Sequence, residues 1–315
     1  MKDVDGELEP EEQSSWKNNP WVQVLIRLSR DRGALAGLLL VLGLYLVGIL
    51  APWIAPYSYT AQNLDAVERP PSWQHWLGTD QLGRDLLSRI IIGARMASLV
   101  SVLVVSISVA LGTTMGAMAG YFRGWVDTAI MRLVDLLFAF PDILLALFLA
   151  ATLRPPIEVF LKQTGLGIQP GMLGFFIVII VLSVVGWGGW ARLVRGQVMT
   201  MREREFADAA RAMGATDWRI LIRHLLPNSL TPMVVALFWG LGGAIGTEAT
   251  LSFLGLGIQP PEASWGLMIN ENFSMWRVKP HLVLAPGITL LLVVTGFILV
   301  ADGLNDALNP RRRKR

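Results

Sequence analysis

The chain has 315 residues, 53% of them hydrophobic and 16% charged. A soluble fold of this length cannot hide that much apolar surface, so the composition points to the lipid bilayer as solvent. With no cysteine, disulfides, thiol catalysis and cysteine metal sites are excluded. The net charge of +3 says less than the placement of the charges.

Residues 1–32 read as a cytoplasmic tail. The tail opens on an acidic run (Asp3, Asp5, Glu7, Glu9, Glu11, Glu12) unlike a cleaved signal peptide. Within it, Trp21, Val24, Leu25 and Leu28 share one helical face between Asn19 and Asp31. That pattern fits a short interfacial helix, or alternatively a cytosolic extension of the first span. A spanning helix needs about 20 mostly apolar residues. Gly33–Pro52 meets this and sits in a first membrane segment, 33–56, followed by an outer loop, 57–94. Residues 95–303 form a core of five further helices. Their spans are expected at Met96–Phe122, Thr128–Leu153, Met172–Ala191, Thr231–Leu254 and His281–Ala301. The runs are continuous rather than alternating, which favours helices over a barrel. The class is therefore an all-α integral membrane protein with six transmembrane helices. Most of the 27 Lys and Arg fall on the side of the two termini, including the basic tail 304–315, so both termini are expected in the cytoplasm. The proline pairs Pro70-Pro71, Pro155-Pro156 and Pro260-Pro261 mark the outer loops.

Charges inside the spans call for a partner or a role. Arg132 and Asp135 are spaced to pair on one helix. Pro141 is expected to kink the third span, with Asp142 capping the resumed helix. Glu248 in the fifth span is a candidate for the pathway or outer gate, or else a carboxylate bonded within the bundle. Asp80, Arg84 and Asp85 in the first outer loop are candidates for docking an outer partner, or for capping the next helix. Gly112, Gly116 and Gly120 give the second span a smooth face for close helix packing, and Gly240, Gly243 and Gly246 thin the fifth. No catalytic motif stands out: His75, His224 and His281 are scattered, no H-E-x-x-H occurs, and none of the five lysines sits in a G-x-x-x-x-G-K-[ST] loop. The tail Arg311–Arg315 reads as an anchor at anionic lipid rather than a nucleic-acid site.

The inner loop 192–230 is too structured for a passive link. Glu203, Phe206, Ala207 and Ala210 recur at helical spacing between Arg202 and Met213. Gly214 can end that helix in a left-handed conformation, and Thr216 is placed to cap a second one. Trp218, Leu221, Ile222 and Leu225 give the second helix an apolar face, and Pro227 is expected to stop it before the fifth span. Aromatic and Met side chains in such a bracket point to protein docking.

Asp208-Ala209-Ala210-x-x-x-Gly214, then His224-Leu225-Leu226-Pro227, resembles the E-A-A-x3-G loop of bacterial ABC importer permeases, with Asp208 in place of Glu and His224 in place of Ile. His75–Ser98 (HWLGTDQLGRDLLSRIIIGARMAS), Ser252–Gly266 (SFLGLGIQPPEASWG) and the ending Asp302–Arg311 (DGLNDALNPR) narrow the resemblance to the C-type subunits of the dipeptide/oligopeptide/nickel subfamily. The resemblance implies a type I ABC importer permease fold in a bacterial inner membrane. It implies a homologous second permease, two ATPase subunits that bind ATP and Mg, and an extracytoplasmic substrate-binding protein as partners. This chain itself would be non-catalytic, with no cofactor of its own. The ATPase-coupling loop would comprise Glu205, Ala207, Asp208, Ala209, Ala210, Gly214, Ala215, Thr216, Asp217, Trp218, Arg219 and Pro227. The implied cargo is a short peptide; nickel or an oligosaccharide are the alternatives. From the residues alone, an ion-coupled secondary transporter is the competing class, and it would show internal repeats and several buried carboxylates.

Overall fold

The computed structural model describes residues 20–165, 167 and 169–308, and is helical throughout its long elements. The acidic run near the start and the basic Arg311–Arg315 lie outside the described residues. Six helices are long and apolar enough to cross a membrane.

A short helix α1 (Pro20–Leu28) is separate from the first span α2 (Arg32–Ile54). Asp31 sets the break: its carboxylate accepts from the amides of Gly33 and Ala34, capping α2. Val24 and Leu28 of α1 are buried, whereas Leu25 faces outward. α2 is apolar all round and packs against the last helix, α12 (His281–Leu308). At their crossing, a Cβ on Gly37 would stand 2.7 Å from the Gly296 carbonyl, so glycine alone lets these backbones approach.

The second span, α3 (Leu86–Phe122), starts ten residues before the apolar run at Met96, because Asp85 caps it there: the carboxylate accepts from the Ser88 amide at 2.8 Å. At 37 residues α3 is ~55 Å long, well beyond the ~30 Å hydrocarbon layer. It packs most extensively on the fourth span, α6 (Pro170–Arg202). Here the glycine stripe is used. A Cβ on Gly112 would collide with Trp190, one on Gly116 with the Ala191 backbone, and one on Gly120 would lie 2.8 Å from the Arg195 carbonyl.

The expected third span, Thr128–Leu153, is two helices. α4 (Gly124–Phe138) ends before Pro141, and the membrane-spanning helix is α5 (Asp142–Thr164). Pro141 disfavours helix in the residue before it, which divides the apolar run. Asp142 begins α5 but makes no side-chain capping bond. Arg132 and Asp135 do not pair. Asp135 instead binds Arg192 at 2.8 Å, and Asp127 binds Arg195 Nη2 at 2.6 Å, strapping α4 to α6. Pro155 and Pro156, expected in an outer loop, lie inside α5. Ile157 and Leu161 beyond them pack on the main core, so burial outweighs the two missing amides.

Two other boundaries move. α6 continues to Arg202, so the inner loop is shorter than 192–230, and α12 continues to Leu308, where Arg27 of α1 donates to the Ala307 carbonyl. The fifth span, α10 (Leu230–Phe253), falls within one residue of its expected bounds at both ends. Between Arg202 and Leu230 the chain forms the inner bracket, and between Phe253 and His281 it carries a short outer helix, α11 (Trp265–Asn272).

Replacing Gly116 by Leu should destabilise the fold by about 1–3 kcal/mol through overpacking against Ala191. Gly189→Leu, where a Cβ meets nothing within 4 Å, should be neutral. Thermal unfolding of both variants in detergent checks the contrast.

Candidate functional site: an inner bracket and an outer clasp

The inner bracket consists of α7 (Glu205–Ala212), the turn at Gly214, α8 (Asp217–Ile220), a π-helical turn (Leu221–Leu225) and α9 (Leu226–Asn228). Gly214 has φ +77°, which an L side chain adopts only with strain. Thr216 occupies the cap position of α8 without making the side-chain bond. Pro227 does not end the helix. The π turn widens the chain, so the missing Pro amide falls in the first turn of α9, where no partner is needed, and the break comes at Ser229.

One face of the bracket roots it. Ala207, Ala210, Ile220, Leu221 and Leu225 are buried in the same cluster as α3 and α6. The other face is open. Met213 is 82% exposed, Ile222 60% and Trp218 54%, beside the exposed polar side chains of Glu205, Asp208 and Arg219. Asp208 pairs with Arg211, and Arg211 Nη2 donates to the Arg202 carbonyl at 2.9 Å, fixing α7 to the end of α6.

The bracket is also tied to α3. Tyr121 donates its hydroxyl to Asp217 at 2.6 Å, and the Phe122 ring meets Trp218 edge-on at 5.7 Å. Arg123 binds Glu203 at 2.6 Å. Nothing local in the sequence marks Tyr121, Phe122 or Arg123 as partners of residues about a hundred positions away. The only hint is that an aromatic pair and a cation end an otherwise aliphatic span.

At the outer end, Asp80, Arg84 and Asp85 do not offer a docking surface, because all three are buried. Asp80 Oδ2 accepts from Arg84 Nε at 2.7 Å and from Arg89 Nη1 at 2.6 Å. Glu271 of α11 accepts from the same two arginines at 3.1 and 2.8 Å. Asp85 caps α3 and bonds His75 Nδ1 at 2.9 Å. This clasp binds the first outer loop to α3 and α11. Of the two readings the sequence left open, docking and helix capping, Asp85 meets the second, and Glu271 is the partner that turns Arg84 inward.

Glu248 is likewise buried, at 2% exposure. The Ser252 hydroxyl donates to its carboxylate at 2.6 Å and in turn accepts from the Ile258 amide at 3.0 Å. Glu248 therefore holds the outer end of α10 to the following turn.

Residues 112–314 match the family model described as the binding-protein-dependent transport system inner membrane component. The chain belongs to this permease family. Residues 19–71 match the N-terminal TM domain of oligopeptide transport permease C. The permease is 39% identical over 295 residues to the glutathione transport system permease protein GsiD of Pectobacterium atrosepticum, covering 93% of this chain and 91% of that one. It is 38% identical to the dipeptide transport system permease protein DppC of Alkalihalophilus pseudofirmus, covering 94% and 91%. Its fold resembles a chain of the inward-facing MetNI methionine ABC transporter, with a TM-score of 0.52 at 17% identity over 71% of this chain and 98% of that one. The permease is thus a multi-pass inner-membrane subunit of a binding-protein-dependent ABC importer of the peptide/glutathione family, and is not itself a catalyst.

Arg89→Met should leave Asp80 and Glu271 with Arg84 alone of the two arginines that bridge them. Breaking a buried pair costs about 3–5 kcal/mol. The expected result is a lower unfolding temperature and faster tryptic cleavage within residues 57–85, read by mass spectrometry.

Proposed function

We propose that this permease forms half of a translocation pathway for short peptides, and that its inner bracket couples the pathway to a partner ATPase. Residues 205–219 and Pro227 make up the coupling element, with both chain termini in the cytoplasm and the clasp on the outer side. A homologous permease supplies the other half, paired ATPase subunits bind ATP and Mg, and a binding protein delivers cargo from outside.

The observation that carries the coupling role is the two-faced bracket. Its small residues are buried against the bundle, while Met213, Trp218 and Ile222 stand in the open beside charged side chains. Exposed aromatic and Met side chains next to polar groups are the usual makeup of a docking surface. The positive φ of Gly214 supports a fixed angle between α7 and α8, so a push on one is carried to the other. Support for peptide cargo comes from the relatives: one is named for dipeptides and the other for glutathione, itself a tripeptide.

The test is reconstitution of the full complex in liposomes with its binding protein. Dipeptide or tripeptide uptake should require ATP. Trp218→Ala and Gly214→Pro should lower peptide transported per ATP hydrolysed by at least about tenfold. Asp208→Lys, which reverses the Arg211 pair, should weaken recovery of the ATPases on co-purification. Uptake driven by an ion gradient without ATP, or full coupling in all three variants, would overturn the reading.

A further inference from the structure

Above the bracket, α3, α5, α6 and α10 leave a half-open cleft of about 300 Å³ that the outer clasp and the bracket do not use. Most of its wall is apolar, with Leu182 and Trp190 among the lining side chains, and Gly243 widens it on the α10 side. Its oxygen-bearing side chains are Asp142, Ser108 and Thr247, and the indole of Trp190 also borders it. Asp142 is exposed and has neither an ion pair nor a hydrogen bond among the described residues, although it starts a membrane-spanning helix. Carboxylates so placed are costly unless they serve a ligand or a pathway.

Ser108 is the independent observation. Ser98, Thr114, Thr250 and Thr289 in the spans donate to the carbonyl four residues before them, whereas the buried hydroxyls of Ser108, Thr113 and Ser183 find no partner among the described residues, and of these three only Ser108 lines the cleft. Ser108 is 3% exposed, yet its hydroxyl has no partner among the described residues. A buried hydroxyl left unbonded costs about 1–3 kcal/mol, which a ligand reaching into the cleft would relieve. Thr247 uses its proton on the Gly243 carbonyl and keeps its oxygen free to accept.

We propose that this cleft is a subsite for a compact ammonium group, the protonated α-amine of a peptide passing through. One carboxylate and two hydroxyl oxygens match the three N–H donors of an ammonium, and the carboxylate supplies the opposite charge. The Trp190 ring and the aliphatic wall suit the carbon skeleton behind it. A metal ion fits poorly, since no group of three His, Asp or Glu side chains that could hold one occurs among the described residues. The identification of the ammonium as a peptide's rests on the importer reading above; the ammonium preference of the cleft does not.

The chain has no cysteine, so a single one reports cleanly. Gly243→Cys lines the cleft, and a Cβ there meets nothing within 4 Å, so the reporter leaves all three acceptors in place. In the full complex, with any partner cysteines removed, its labelling rate is measured with aminoethyl methanethiosulfonate and with the neutral methyl reagent. The cationic reagent should be favoured, and Asp142→Asn should cut that preference by about tenfold. Asp142→Glu should retain most of it. Equal preference in wild type and Asp142→Asn overturns the subsite, and a Thr247→Cys reporter repeats the comparison should Gly243→Cys not assemble. A free-amine dipeptide, and not its N-acetylated form, should slow labelling. If the dipeptide is transported but neither form protects, the peptide part of the proposal fails. If no dipeptide is transported at all, the importer reading of the cargo fails while the reagent preference still decides the subsite.

Discussion

Three glycines, Gly112, Gly116 and Gly120, bring the backbone of α3 against that of α6, and everything functional hangs from that contact. No side chain fits between the two helices at these positions. In lipid the hydrophobic effect gives little reason for helices to associate, so close backbone packing must supply it. The two helices are the longest in the chain, and each overshoots the membrane at a useful end. α3 runs out into the clasp through Asp85 and Arg89, and α6 runs in to Arg202, where Arg211 of the bracket is fastened. Tyr121, Phe122 and Arg123 close the inner end by holding Asp217, Trp218 and Glu203. Clasp, spine and bracket form one mechanical unit.

Around this spine the remaining elements divide by how firmly they are held. α4 is strapped to α6 by two carboxylate–arginine pairs. α2 and α12 cross at Gly37 and Gly296. α5 and α10 are the least covered: in their membrane-crossing windows only 11% and 22% of residues are buried within the chain. Those two helices also border the cleft. A permease that shares its pathway with a second subunit needs such a division, with one face rigid enough to transmit force and another left open to the pathway and the partner.

Much of this was legible in the sequence, and the failures have physical causes. Long apolar runs located five of the six spans and overlapped the first half of α5, because composition alone decides what can sit in lipid. The bracket was legible through Gly214 and the spacing of Ala207 and Ala210. Pro141 correctly marked a break, but the size of that break depended on Asp127 and Asp135 reaching α6, a pairing no local pattern encodes. Pro155 and Pro156 misled for the opposite reason: proline reports a local backbone preference, and the core overrode it. For Asp80, Arg84, Asp85 and Glu248 the sequence left a functional and a structural reading open; Asp85 does cap α3 and Glu248 is bonded within the bundle, while Glu271, the partner of Arg84, comes from α11, far along the chain. Asp142 was expected to cap the resumed helix, and among the described residues it makes no such bond.

The central claim is that α3 and α6 move as a single body when the ATPases close. It is tested most directly by placing spin labels at Leu99→Cys on the outward half of α3 and Thr200→Cys at the inner end of α6, both on exposed positions. The distance distribution is then measured in the assembled complex without nucleotide and with ATP trapped. A rigid spine gives one distribution in both states while a Leu99–Phe148 pair, reaching across to α5, changes. A Leu99–Thr200 distance that shifts with nucleotide would contradict it.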